Sequence, residues 1–390
     1  MTDINELLTR GVDEVIDRKH LEQKLKSGKK LRIKLGIDPT SPNIHIGRAV
    51  QLWKLRAFQE LGHQVVFIVG DFTGLIGDTS DKDAERPMLS PEQVRANLKT
   101  YFKQAFKILD KKETEAYYNS KWLKKLGFIE IGRMANLFGL NEFQSRENIA
   151  KRLAGGKRVS MRELLYPLMQ GYDSVAMKAD VEIGGTDQRF NLLAGRTIQP
   201  AYGQVPQDIV MNKLLEGTDG RKMSSSWGNV INITDEPNDI FGKVMSVSDD
   251  LIIKYFKLAT RVGLKEIAEF EALLKNGENP RNIKIRLGGE LVTLYHGSKA
   301  AQKATREFEK VFTNKEKPTD ISEMKVKSQN ILDILVETKM APSKSEARRL
   351  VQQGGVKLND QIIKEWDTKI DVEDGQILQA GKRKFIKLIK

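Results

Sequence analysis

The chain has 390 residues, 39% hydrophobic and 30% charged, which gives apolar side chain enough for a real core and length enough for two or three domains. It has no cysteine and only four histidines (His20, His45, His63 and His296), so a disulfide framework and a thiolate metal site are excluded, and no paired spacing suggests a histidine-held zinc or iron centre. The formal charge of +13 favours polyanionic partners, although a solvated lysine-rich surface reads the same way.

Met1 to Asp17 is acidic early and holds no long apolar stretch, unlike a secretory signal. No apolar run approaches the roughly 20 residues a bilayer demands, so a cytoplasmic protein with no membrane partner is expected. Residues 2–28 read as helix, with Leu7, Leu8, Val12, Val15 and Ile16 recurring among charges and Gly28 closing the stretch. Leu31 to Ile37 alternates like a strand and ends in the turn Asp38-Pro39-Thr40-Ser41-Pro42-Asn43. Ala49 to Leu61 predicts a helix stopped by Gly62, and Val65 to Val69 a buried parallel strand. Strand, turn, helix and strand make a βαβ unit.

From about 85 to 165 the pattern is helical and charged, an insertion between two halves of a sheet. Val181-Glu182-Ile183 predicts a strand before Gly184-Gly185, Asn191 to Arg196 a helix, and Val230 to Ile233 one more strand. Residues 237–315 are helical in period. Lys315 to Lys325, around Pro318, reads as a linker. The remainder, 328–390, is a small α+β module. Its helical half, Asn330 to Gln353, leads through Gly354-Gly355 to short segments ending at Phe385 to Ile389.

The segment from Asp38 to Arg48 lies where a strand meets a helix start. Backbone N–H groups there lack partners, and the helix dipole favours anions. His45 and Arg48 share one helix face, and Gly47 lets a flat ring approach the backbone. These features suit a nucleotide; they also suit an N-capped helix with an incidental histidine. About 175 residues later, Gly220-Arg221-Lys222-Met223-Ser224-Ser225-Ser226 makes a polar loop whose lysine and hydroxyls suit phosphate oxygens. Either pattern is weak alone. In this order across one α/β unit they are far more specific.

Tyr166, Gln170 and Asp173 recur at i, i+4 and i+7 on one helix face. Such a stripe is costly to bury unpaired, so it lines a polar pocket or faces solvent. Gly184 to Asn191 puts Gly-Gly after a strand, which permits close ligand approach, and adds an acidic residue suited to ribose hydroxyls. A strand-ending turn is the plain alternative. Ala341 to Leu350 starts a helix with a Ser343 to Glu346 capping pattern and clusters Lys344, Arg348 and Arg349. That cluster suits RNA phosphates, or a small basic cap.

On these residues the chain resembles the class I aminoacyl-tRNA synthetases. Their two hallmark motifs match His45-Ile46-Gly47-Arg48 and Lys222-Met223-Ser224-Ser225-Ser226. Within that class it resembles the bacterial tyrosyl-tRNA synthetases over nearly its whole length, least so in the insertion and in 237–315. Three positions depart from the family pattern. Arg48 stands where the first motif usually ends in histidine, and Ser225 where the second often has lysine. Lys34 stands where many tyrosyl enzymes carry a tyrosine against the substrate phenol. The run from Lys34 to Thr40 is similar to that of a second bacterial subgroup.

The resemblance implies an α/β fold: a Rossmann-like parallel-sheet catalytic domain over 1–236, a helical domain over 237–317 and an S4-like RNA-binding domain over 328–390. It implies adenylation of tyrosine by ATP with substrate-borne Mg²⁺, then transfer to tRNA(Tyr). Thr40, His45 and Lys222 would serve catalysis. Asp38, His45, Gly47, Arg48, Gly185, Asp187, Lys222, Ser224 and Ser225 would bind ATP. Asp78, Tyr166, Gln170, Asp173 and Gln188 would bind tyrosine, with Asp173 reading the phenol. Lys344, Arg348 and Arg349 would bind RNA, and no residue would hold a metal. The family also implies a homodimer formed largely through 110–165. Two rivals stay open: a tryptophanyl enzyme with the same catalytic layout, and a non-catalytic RNA-binding relative, favoured by Arg48 and Ser225.

Overall fold

Two adjacent runs, Ile33-Leu35-Ile37 and Val65 to Val69, are apolar and almost wholly shielded from water, as strands covered on both faces must be. They belong to a six-stranded sheet: β1 (Val12–Ile16), β2 (Arg32–Ile37), β3 (Gln64–Val69), β4 (Thr114–Tyr118), β5 (Val181–Gly185) and β6 (Asp208–Asn212). The spatial order is β1-β6-β5-β2-β3-β4, parallel except for β1, which runs antiparallel to β6. The computed structural model describes residues 3–79, 88–312, 321, 323–381 and 384–390. The chain forms two compact units, Met1–Thr305 and Arg306–Lys390.

In the first unit the helix Ile46–Glu60 follows β2. It buries Ala49, Leu52, Leu55 and Phe58 at helical spacing. Each large side chain so buried contributes about 1.5–3 kcal/mol. Gly62, at φ +88, ends the helix where a left-handed residue is needed. The helix Met161–Met177 starts in a Ser160/Glu163 capping box and covers the other face. Alternation along β5 shows the two faces. Glu182 meets Gln170 in the helix Met161–Met177, whereas a Cβ on Gly185 would stand 3.2 Å from Gln51 in the helix Ile46–Glu60. The chain leaves β2 towards β3 and leaves β5 towards β6, in opposite directions, so a topological switch point lies between β2 and β5.

Several predicted elements differ. The N-terminal helix is short, Ile4–Thr9, then β1, then a second helix, Arg18–Lys26. Gly11 at φ +66 ends the first, and β-branched Val12, Val15 and Ile16 pair with β6 instead. Lys54 holds this segment, donating to the Leu7 and Arg10 carbonyls at 2.6 and 2.8 Å. The insertion is helical as predicted except for β4, which extends the sheet beside β3. Val230 to Ile233 is not a sheet strand. Ile231 accepts from the Ile46 N–H (2.8 Å) and Ile233 donates to the Ile44 carbonyl (3.0 Å), which clamps the start of the helix Ile46–Glu60. The strand beside β5 is β6, which sequence reading passed over.

The second unit has its own sheet: β7 (Glu323–Lys325), β8 (Val356–Leu358), β9 (Gln361–Ile362), β10 (Ile377–Ala380) and β11 (Lys384–Ile389), in the order β7-β11-β10-β8-β9. Helices Ile331–Glu337 and Lys344–Gln352 share with it a core that includes Ile334, Leu335, Ala347, Val356 and Leu388. Most of the predicted linker, residues 315–320 and 322, lies outside the described residues, and its end is β7. Among the described residues no helix is long and apolar enough to cross a membrane.

Candidate active site

Strands β2 and β5 pair only at Ile33↔Val181 and Lys34↔Glu182. Beyond that rung, at their carboxyl ends, lies a cavity of about 200 Å³. This is where open α/β sheets bind ligands. Its wall includes Asp38, Thr40, His45, Gly47 and Arg48, then Asp78, then Tyr166, Gln170 and Asp173. Asp187, Gln188, Lys222, Ser224 and Ser225 complete it. Of the site residues predicted in the first unit, Gly185 alone is set back from this wall, buried at the end of β5.

His45 is the N-cap of the helix Ile46–Glu60, and its Nδ1 accepts from the Arg48 N–H at 3.3 Å. Burial, aided by the Arg48 and Lys222 charges, pushes its pKa down to about 3. The imidazole is therefore neutral. With Nδ1 accepting, its proton sits on Nε2, from which it can donate a hydrogen bond to a phosphate oxygen. Gly47 occupies the second helical position, whose N–H has no acceptor within the helix. A Cβ there would stand 3.1 Å from His45 Nδ1. Arg48 donates to Thr40 Oγ1 at 2.7 Å and to the Tyr101 hydroxyl. Lys222 Nζ lies 2.8 Å from Asp187 Oδ2. Ser225 Oγ donates to Ser41 Oγ at 3.1 Å, so the later loop meets the turn after β2. Two motifs far apart in sequence thus face one cavity.

The other end is built around carboxylates. Asp38 accepts from Thr73 Oγ1 (2.7 Å) and the Tyr166 hydroxyl (2.8 Å), and burial pushes its pKa up to about 6 despite those bonds. Asp78 accepts from Gln188 Nε2 at 2.7 Å. Asp173, 4% exposed, accepts from Trp122 Nε1 at 2.7 Å and Asn119 Nδ2 at 3.3 Å. Burial pushes its pKa up to about 7, against the pull of the Lys34 charge and both donors. Gly36 of β2 lines the cavity, and a Cβ there would meet nothing within 4 Å.

Thr73, Asn119 and Trp122 escaped sequence reading. Asn119 follows β4 directly, so identifying that strand would have placed it at the carboxyl edge of the sheet. Lys34, the departure noted beside the motif, is not in the cavity wall; its ammonium pairs with Glu182 at 2.9 Å. In the second unit Ser343 caps the helix Lys344–Gln352 as predicted. Lys344 pairs with Asp333 at 2.5 Å, Arg349 with Glu346 at 2.6 Å, and Arg348 lies over the Trp366 ring. Exposed ion pairs are worth about 0–1 kcal/mol, which a phosphate can outbid. Among the described residues one group has metal-ligand spacing that the scattered histidines had not suggested: Asp17, His20 and Asp208. Lys24 Nζ already sits 3.0 Å from Asp208 and competes with any cation there.

The family described as tRNA synthetases class I (W and Y) matches residues 26–313, and the Tyrosine--tRNA ligase SYY-like C-terminal domain matches residues 307–388. A Tyrosine--tRNA ligase of Dehalococcoides mccartyi (strain CBDB1) is 48% identical, covering 99% of this chain and 98% of its own length. One from Moorella thermoacetica is 46% identical, covering 98% and 94%. Among solved structures, tyrosyl-tRNA synthetase complexed with L-tyrosine from Archaeoglobus fulgidus is similar with a TM-score of 0.62 at 23% identity, over 77% of this chain and 98% of that one. A C-terminally truncated mitochondrial tyrosyl-tRNA synthetase of Aspergillus nidulans gives 0.66 at 20%, over 79% and 93%. At those identities the structures speak for the fold alone.

Proposed function

The chain belongs to the tRNA synthetases class I (W and Y), and from that premise we propose that it is a tyrosine–tRNA ligase. It activates tyrosine with ATP to tyrosyl-adenylate and pyrophosphate, then passes the tyrosyl group to the 3′ end of tRNA(Tyr). The carrying observation is that one cavity joins the His45 and Lys222 motifs to a helix face bearing Tyr166, Gln170 and Asp173.

No side-chain nucleophile is needed, because the tyrosine carboxylate attacks the α-phosphorus in line. The protein aligns the reactants and stabilises phosphate charge. The neutral His45 offers its Nε2–H, Lys222 its ammonium, and Thr40 and Arg48 lie beside them; Mg²⁺ enters with ATP as substrate. Gly47, Asp187, Ser224 and Ser225 form the nucleotide side, with Gly185 set back behind them. Asp38, expected to bind ATP, instead accepts from Tyr166, and with Asp78 it gives the other side the negative charge that suits an α-ammonium group, with Tyr166, Gln170 and Gln188 around it. Asp173 accepts from the phenol.

The helices from 237 to 312 and the S4-like module, with Lys344, Arg348 and Arg349, serve the tRNA. In the insertion Phe128 and Ile129 are 90% and 76% exposed, an apolar face suited to a homodimer contact. The protein works in the cytoplasm.

Exchange of labelled pyrophosphate into ATP, with tyrosine, phenylalanine and tryptophan side by side, tests the reading. Exchange with tyrosine alone is expected. Exchange with tryptophan would move the protein to the neighbouring activity, and none at all would leave an RNA-binding relative.

Gly36→Val gives a local test. Valine suits a strand, and its side chain would fill the open space over β2. The variant is expected to melt with the wild type, while its KM for tyrosine rises about tenfold or more, since small misplacements cost that much. An unchanged KM would place the ring elsewhere.

A further inference from the structure

Lys34 and Glu182 face each other on the last rung before β2 and β5 part. Both point under the helix Met161–Met177, and both side chains are 1% exposed. The Lys34 ammonium lies 2.9 Å from Glu182 Oε1, and donates to Ser174 Oγ (2.6 Å) and to the Gln170 backbone carbonyl (3.1 Å). Glu182 also accepts from Gln170 Nε2 and Ser174 Oγ, both at 3.1 Å, and from Gln207 Nε2.

A buried ion pair is a poor source of stability, because desolvation offsets the attraction, and well-packed neutral side chains often fill such a place as well. What this pair supplies is orientation. Gln170 is held twice, at its carbonyl by Lys34 and at its Nε2 by Glu182. With one Nε2–H given to Glu182, its carboxamide is fixed with Oε1 left as an acceptor for a ligand. Asp173 follows one turn later on the same helix, and Gly36 follows two residues later on the same face of β2. All three line the cavity.

We propose that Lys34 and Glu182 are a positioning pair for the amino-acid subsite, holding the Gln170 carboxamide where it meets the α-ammonium group and the Asp173 turn in the geometry that selects a hydroxylated ring. This rests on the tyrosine–tRNA ligase reading of the same cavity. The pair acts through Gln170 and Asp173 without touching the substrate. It makes Lys34 a specificity residue although its side chain never enters the wall.

Three full-length proteins decide the matter: wild type, Lys34→Met, and Lys34→Met with Glu182→Gln. Each is melted, and each is assayed for tyrosine- and phenylalanine-dependent pyrophosphate exchange. Lys34→Met strands a buried carboxylate and is expected to melt lowest. The double variant removes that charge and should regain most of the Tm. It should nevertheless keep a tyrosine KM raised about tenfold and a narrowed preference over phenylalanine, with the KM for ATP within about twofold of wild type. Recovery of the tyrosine KM and the preference along with the Tm would reduce the pair to core filling and overturn the proposal. An equal rise in the KM for ATP would overturn it too, as a general loosening. If Lys34→Met does not fold, the double variant alone carries the comparison. A wild type inactive with tyrosine would sink the ligase reading itself, a result distinct from an active wild type with an indifferent pair.

Discussion

Asp173→Asn is expected to yield a protein that is more stable at pH 8 and much poorer at activating tyrosine. The carboxyl is buried, and its pKa of about 7 lies above the ordinary 3.8. Between those values the folded protein keeps a proton that the unfolded chain has released. The resulting penalty is absent below about pH 4, grows as the pH rises towards 7, and is full above that. Asparagine carries none of it, so the gain should be on the order of 4 kcal/mol at pH 8 and vanish near pH 4. Melting curves across that range check the sign. The same change removes a charged acceptor from the phenol, which predicts a loss of about 10- to 100-fold in kcat/KM for tyrosine. The preference over phenylalanine should narrow with it, because the acceptor that phenylalanine leaves unpaired is now less costly to strand. An undiminished preference would show that another group reads the hydroxyl.

The second large effect is on rate. Lys222→Ala should lower the rate of adenylate formation about 100- to 1,000-fold, the scale set by removing one preorganised donor from a charged transition state. Tyrosine binding should hardly change, because the lysine stands on the phosphate side. Lys222 is paired with Asp187 at 2.8 Å. On the proposed reaction its ammonium trades that carboxylate for phosphate when ATP binds. Single-turnover formation of the adenylate separates the two quantities. A raised tyrosine KM with an intact rate would contradict the assignment.

The residues legible in sequence were those whose chemistry the proposed reaction calls for at short spacing, and one cavity brings them together: His45 with Arg48, Lys222 with its serines, and Tyr166, Gln170 and Asp173 on one helix face. What holds them was hidden. Trp122 and Asn119 reach Asp173 from about 50 residues away, across a strand that looked like part of a helical insertion. Lys34 and Glu182 meet through sheet register, which no local pattern encodes. Elements failed where one glycine or one neighbour overruled periodicity. Gly11 turns an apparent helix into helix, strand and helix. The β-branched run Val230 to Ile233 spends its hydrogen bonds on the start of a helix. The βαβ unit around the helix Ile46–Glu60 was plain because Leu31 to Ile37 alternates, Val65 to Val69 is a continuous apolar run, and Gly62 marks the stop between helix and strand.

The open space over Gly36 gives the site an unusual vulnerability to mutational drift. Most active sites fail by losing a group, and cells often clear such proteins when the loss also unfolds them. Here the damaging change adds atoms at a strand position that accepts them. The product would be a folded, abundant chain, poor at taking up its amino acid yet with its C-terminal module untouched. On the tRNA-binding role proposed for that module, it would go on occupying the tRNA and act as a competitor of the working enzyme rather than as a simple absence.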